Sequence, residues 1–77
     1  RSMELVAIKM PAAGTVIGIT LSNLRLPYGT KIVLIVNSDG QTKSLDPDSE
    51  IEAEDEIIAI SPTNSTAELW ELLTELR

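Results

Sequence analysis

The acidic segment from 46 to 56 holds the densest group of chemically active side chains. Its seven carboxylates belong to Asp46, Asp48, Glu50, Glu52, Glu54, Asp55 and Glu56. Carboxylate oxygens are the ligands that calcium prefers. If Asp46 opened an EF-hand loop, Ile51 would stand where that loop needs glycine and Ile57 where it needs glutamate. The spacing excludes an EF-hand and favours a solvated turn, with a looser cation site built from two chains as the alternative.

Residues for nucleophilic and acid–base catalysis are nearly absent. The 77 residues include no Cys, no His and one Tyr. This composition excludes thiolate nucleophiles, imidazole bases, disulfides and the usual zinc ligand sets. Paired carboxylates catalyse hydrolysis only in a cleft that raises one of their pKa values, and a chain this short offers little cleft. We therefore predict that the domain is not an enzyme and holds no metal.

Two glycines and one arginine raise the question of an anion site. Gly14 and Gly18 precede a short predicted helix, and a helix N-terminus can hold phosphate. Their spacing matches neither a Walker loop nor a dinucleotide fingerprint, which favours turn geometry. Arg25 is one of 6 basic residues set against 12 acidic ones, and it lies near Tyr28 and Lys31. A salt bridge and a ligand contact both remain open for Arg25.

Size and charge limit the class of protein. A chain with 43% hydrophobic and 23% charged residues should fold as one small domain. Its net charge of −6 argues against a nucleic-acid polymer as partner. The longest apolar run, 32–36, is far shorter than the roughly 20 residues of a membrane span, so we expect no direct membrane insertion. Because the chain opens on Arg1 without a signal peptide, we interpret 3–77 as a piece of a longer protein and Arg1-Ser2 as a cloning junction.

Four strands are predicted from the pattern of apolar residues. The first runs from Met3 until Pro11 stops it, and the second, 31–36, is continuously apolar and should lie centrally in its sheet. An Asp-Gly turn within 37–40 should return the chain as an antiparallel edge strand over 41–45. The last strand covers 56–60 before Pro62.

Two helices complete the predicted order β, α, β, β, β, α, a small α+β domain with a mostly antiparallel sheet. Thr20 should cap a helix of one or two turns over 20–25. Ser65 and Glu68 form a capping box at the start of the C-terminal helix. Trp70 lies beside the apolar stripe of that helix and should pack in the core or a dimer interface. The stripe itself consists of Leu69, Leu72, Leu73 and Leu76.

This ordered set of features resembles one family, the C-terminal domain of regulators of potassium conductance, also called the RCK C-terminal or TrkA-C domain. The resemblance extends over nearly the whole of 3–77. The segments that carry it are 4–8, 18–21 with Leu24, Tyr28-Gly29, 32–35, and 48–55 before 57–60.

The resemblance implies a cytoplasmic regulatory domain that forms a homodimer and belongs to a potassium or other cation channel or transporter. Some members bind cyclic di-AMP at the dimer interface, and no other cofactor is implied. Arg25 and Pro47 match the family's pocket Arg and Pro, while Lys31 stands in place of an Asn. Lysine can meet phosphate but lacks the paired donor and acceptor of an amide. The implied pocket residues are Ile19, Asn23, Leu24, Arg25, Lys31, Ile32 and Pro47.

Two other classes of function are alternatives to a ligand-sensing domain. A structural dimerisation module of the same architecture would need no ligand. The segment 10–16 is similar to the opening of biotinyl or lipoyl domains, but the turn at 37–40 lacks the lysine that carries their prosthetic group. An acyl carrier would be a helical bundle, and this chain is rich in strands. A ligand-sensing regulatory domain is therefore the prediction, with the structural dimer as the alternative.

Overall fold

The fold is a three-stranded antiparallel sheet followed by one α-helix. The computed structural model describes residues 2–77, so Arg1 of the expected junction lies outside the described residues. The strands are β1 (Met3–Lys9), β2 (Lys31–Val36) and β3 (Glu56–Pro62), and the helix is α1 (Thr66–Thr74). Short 3₁₀ turns cover Leu21–Asn23 and Thr63–Ser65. The predicted small α+β domain with a mostly antiparallel sheet is confirmed.

The strand order is β1-β3-β2, which contradicts the prediction that β2 is central. β3 pairs with both neighbours, and Ile57 lies opposite Ile8 on one side and Ile35 on the other. Val33 and Leu34 on β2 are 37% and 36% exposed. A continuous apolar run does not distinguish a strand buried on both faces from an edge strand with an apolar outer face. In this fold, β2 is an edge strand with an apolar outer face.

The hairpin after β2 turns where the sequence predicts, but its return strand is short. The amide of Gly40 donates to the carbonyl of Asn37 at 2.9 Å, with Gly40 in the left-handed region at φ 83°. The side-chain Oδ1 of Asn37 also accepts from the amide of Gln41. The predicted strand over 41–45 reduces to a single bridge between Val36 and Thr42. The amide of Lys43 still donates to the carbonyl of Ile35 at 2.8 Å.

One face of the sheet and one face of α1 enclose the core. Leu69 and Leu73 of α1 are fully buried, and Leu72 packs against them in part. Leu76 was expected to extend the stripe but is 70% exposed, because α1 ends at Thr74. Trp70 is 45% exposed and lies outside the core of this chain. The buried core consists of Ile8, Met10, Val16, Ile35, Ile51, Ile57, Ala59, Leu69 and Leu73.

Both predicted helix starts differ from expectation in detail. Ser65 is the N-cap of α1, but its side chain makes no cap hydrogen bond. Its backbone at φ −113° and ψ 0° ends a 3₁₀ turn instead of adopting the extended conformation that aims a capping hydroxyl. The predicted helix over 20–25 is a single 3₁₀ turn, and the hydroxyl of Thr20 lies 3.2 Å from that of Ser22. In residues 2–77 no helix has the length and hydropathy to cross a bilayer.

Candidate functional site

The 3₁₀ turn Leu21–Asn23 lies against the turn that contains Pro47. The amide of Ser22 donates to the carbonyl of Pro47 at 3.1 Å, and the amide of Leu21 donates to that of Ser49 at 2.9 Å. These bonds use the amides at the start of the turn, and the turn's own bonds are of the i→i−3 type. These bonds hold the turn at Pro47 against Ser22, the residue that precedes Asn23 in the chain.

The loop before this turn is held in the same way. The amide of Gly18 donates to the carbonyl of Ile51 at 2.7 Å, and the amide of Ile51 donates to that of Ile19 at 2.9 Å. Gly18 has φ 89°, a conformation that favours glycine, which agrees with the turn-geometry interpretation. Gly14 is buried, and a Cβ there would lie 3.1 Å from the carbonyl oxygen of Glu75. Close packing therefore accounts for this second glycine.

The remaining predicted site residues divide between the core and the surface. Leu24 and Ile32 are partly buried and pack against the core. Arg25 and Lys31 are exposed at the two ends of the segment that joins the 3₁₀ turn to β2. Ile19 is 36% exposed. This part of the chain thus combines partly buried apolar side chains with cationic side chains at the surface.

Arg25 and Lys31 differ from the other described cations in having no recorded partner. Lys9 pairs with Glu54 at 3.6 Å, and Lys43 forms two ion pairs. Arg77 donates to the carbonyl of Gly14 at 3.3 Å. Within residues 2–77, no hydrogen bond or ion pair engages the side chain of Arg25 or Lys31. Two cations free to meet an external anion therefore flank one short loop of an acidic chain.

That loop presents the aromatic ring of Tyr28, which is 93% exposed. The amide of Thr30 donates to the carbonyl of Pro27 at 3.1 Å, and Gly29 between them has φ 84°. Such a positive φ at the third position is typical of a type II turn. From the sequence, Tyr28 is a neighbour of Arg25 and Tyr28-Gly29 is part of the family resemblance, but this turn is not predicted. The Pro-Tyr-Gly-Thr order was the available signal for a tight turn.

The acidic segment contains one buried carboxylate that sequence reasoning missed. Asp55 is 1% exposed, and Lys43 donates from Nζ to its Oδ2 at 2.7 Å. The same ammonium contacts Oε1 of Glu52 at 2.7 Å and the carbonyl of Glu50 at 3.0 Å. Although burial alone lowers the pKa of Lys43, its hydrogen bonds and charge interactions with Asp55 and Glu52 leave that pKa raised. The solvated-turn interpretation is therefore wrong for Asp55, because a buried charge needs a partner.

No cation site is formed by this segment within one chain. In the described part of the chain, no three Asp, Glu, His or Cys side chains come together in a group that could hold a metal ion. Lys43 occupies the position between Glu52 and Asp55 that a cation would take. A site shared between two chains stays the untested alternative.

A separate groove of about 230 Å³ lies near the end of the chain. Its lining is small and apolar apart from one cation, and it contains none of the predicted site residues. The lining residues are Ala12, Ala13, Gly14, Ile17 and Arg77.

Comparison with known proteins identifies the fold. No protein-family model matches the chain, and no curated protein gives a significant match. Among solved structures, an RCK domain solved with cda matches with a TM-score of 0.74 and 18% sequence identity. The match covers 90% of this chain and 96% of that chain. The resemblance inferred from the ordered sequence features is thus confirmed in three dimensions, and the chain has the fold of an RCK domain.

Proposed function

We propose that this domain is a cytoplasmic regulatory module of a potassium or other cation channel or transporter. It forms a homodimer and binds a small anionic nucleotide of the cyclic di-AMP class. One observation carries the proposal: Arg25 and Lys31 are exposed, without recorded partners, and lie at the two ends of one loop. The RCK fold supports it, since the matching RCK domain was solved with cda.

The two cations suit a phosphate-containing ligand. A guanidinium binds phosphate through two parallel hydrogen bonds, while an ammonium acts as a point charge. The chain carries a net charge of −6, which repels anions at long range. Contacts within the Debye length of about 8 Å must therefore supply the attraction. Arg25 and Lys31 are the groups suited to do so.

The neighbouring residues suit a heterocyclic base. Pro47 and Ile19 offer exposed apolar surface, and Leu24 and Ile32 are partly buried against the core. Asn23 is exposed and follows Ser22, whose amide bonds to the carbonyl of Pro47, and the side-chain amide of Asn23 offers one paired donor and acceptor. That pair supplies the base-edge contact that Lys31 lacks.

The outer face of the sheet supports a homodimer. Leu5 and Lys31 both lie opposite Ile60, and Leu34 lies opposite Ile58, so these side chains share the face away from the core. Leu5 is 68% exposed and Ile60 is 39% exposed. A second copy covering this face would remove apolar surface from water.

Regulation then follows from linkage. A ligand bound across a two-fold interface favours the relative orientation of the two subunits to which it binds more tightly. The ligand can shift the conformational equilibrium of the attached transport protein only as far as this difference in affinity allows.

Calorimetric titration of the purified chain with cyclic di-AMP, with light scattering for its mass, tests the proposal. We expect a dimer that binds one ligand, and at least tenfold weaker binding in Arg25→Ala, since a hydrogen bond to a charged group contributes about 1.5–3 kcal/mol. Lys9→Ala is the matched control, because Lys9 is an exposed cation paired with Glu54. Equal binding by both variants would contradict the assignment of Arg25.

The alternative is a structural dimerisation module without a ligand. The exposed apolar sheet face favours it independently of the two cations. A dimer that binds neither cyclic di-AMP nor mononucleotides would establish this alternative. A monomer at the titration concentration would exclude both versions.

A further inference from the structure

Tyr28 is the most exposed large hydrophobic residue described in the chain, at 93%. An aromatic ring held in water loses the free energy that burial would provide. A mobile loop could fold such a ring against the surface. The contacts around Tyr28 show instead a turn that is fixed on both sides.

One buried residue and two contacts fix the turn. Pro27 on one side is buried. A Cβ on Gly29 would lie 3.0 Å from the ring of Pro62, so this glycine packs directly on the end of β3. The hydroxyl of Thr30 donates to that of Ser61, which is fully buried, at 3.2 Å. The backbone that carries Tyr28 is therefore preorganised, and only its side chain retains rotational freedom.

The two basic residues on either side of Tyr28 in the chain favour an anionic ligand. Arg25 precedes Tyr28 by three residues and Lys31 follows it by three, and both are exposed without recorded partners in residues 2–77. Aromatic side chains bind bases by stacking, and a nearby cation strengthens that contact.

We propose that Tyr28 is a stacking platform for the purine base of the nucleotide whose phosphates Arg25 and Lys31 attract. This inference rests on the proposed function and adds an aromatic group to the residues that would contact a base. The preorganised turn lowers the entropy lost on binding. The affinity should therefore depend on the ring of Tyr28 and not on its hydroxyl.

The test compares Tyr28→Ala with Tyr28→Phe by calorimetric titration with cyclic di-AMP. Loss of one stacked base should weaken binding by about 5- to 150-fold in Tyr28→Ala, while Tyr28→Phe should stay within about twofold of the unchanged protein. Because the chain contains one Tyr, the ring protons of Tyr28 are identifiable by NMR. They should move upfield with AMP and stay in place with ribose 5-phosphate, which carries the phosphate but no base.

The outcomes separate this inference from the function on which it rests. Binding that is lost in Arg25→Ala but unchanged in Tyr28→Ala would overturn the role of Tyr28 and leave the proposed function standing. Absence of binding by the unchanged protein would overturn both. A Tyr28→Ala protein that light scattering shows to be monomeric would also overturn the stacking role, because Tyr28 would then be an interface residue.

Discussion

Among single residues, Lys43 and Asp55 form the most buried ion pair of the described chain. The ammonium is mostly buried, with 15% of the Lys43 side chain exposed, and it satisfies a carboxylate that is 1% exposed. The amide of Glu52 donates to the same Oδ2 at 2.9 Å. These contacts tie the strand-like segment after the hairpin to the acidic turn before β3. The acidic turn is thus held by a lysine twelve residues upstream.

Lys43→Met should destabilise the domain by about 3–5 kcal/mol, because it leaves Asp55 charged and buried without its counterion. Urea unfolding followed by the fluorescence of Trp70 measures the change. Lys9→Met is the matched control, since the Lys9–Glu54 pair is exposed and should contribute less than about 1 kcal/mol. Similar losses in the two variants would contradict the special role of Lys43.

The same contact predicts a pH dependence. The pKa of Lys43 is raised above its ordinary value of 10.5, so its contribution is fully present below that value. The stability should fall as the pH rises through the folded-state pKa and Lys43 loses its proton. The Lys43→Met variant should lack this component. Parallel loss of stability in both proteins above pH 10.5 would assign the effect to other groups.

Among the elements, the turn from Pro27 to Thr30 shows how local conformation and tertiary packing combine. Gly29 and Gly40 have nearly equal positive φ angles, 84° and 83°. A Cβ on Gly29 would meet the ring of Pro62 at 3.0 Å, whereas a Cβ on Gly40 would meet nothing within 4 Å. A substitution at Gly40 therefore tests backbone strain alone, whereas a substitution at Gly29 tests backbone strain together with a steric contact.

Gly40→Ala should cost about 1–2 kcal/mol from the left-handed backbone alone. Gly29→Ala should cost more, because the new methyl group must also displace the ring of Pro62. Urea unfolding of the two variants measures the difference. Equal losses would mean that β3 yields to the methyl group, and the turn under Tyr28 would then be less rigid than inferred.

For the whole molecule, the principal feature is an apolar sheet face opposite the core. A bulge between Ile32 and Leu34 shifts the register of β2. This shift lets Ile32 lie opposite buried Ala59 while Leu34 lies opposite Ile58 on the outer face. The proposed homodimer would use this outer face.

Leu5→Lys should convert the proposed dimer into a monomer, because it places a charge within the apolar outer face of the sheet. Light scattering measures the mass, and circular dichroism checks that the monomer is folded. Leu76→Lys is the matched control, since Leu76 is 70% exposed and lies away from the sheet. A dimer that survives Leu5→Lys would show that the subunits associate through another surface.

Local patterns in the sequence were sufficient to predict two strands, one turn and the start of the C-terminal helix. Strands β1 and β2, the turn at 37–40 and the start of the C-terminal helix follow from alternation, β-branched residues, Asp-Gly and Ser65. Each of these signals acts within a few residues, where backbone preferences are set. The order of these signals along the chain predicted the RCK fold. The matching RCK domain is only 18% identical in sequence, and no family model matches the chain.

The tertiary structure alone decided the features that depend on distant residues. β3 became the central strand because it pairs on both sides, and the helix over 20–25 shortened because its amides bond to the turn at 47–49. Asp55 is buried because Lys43 reaches it. Tyr28 stays exposed because its turn packs on the end of β3. These outcomes arise from long-range pairing and burial, which local sequence preferences do not encode.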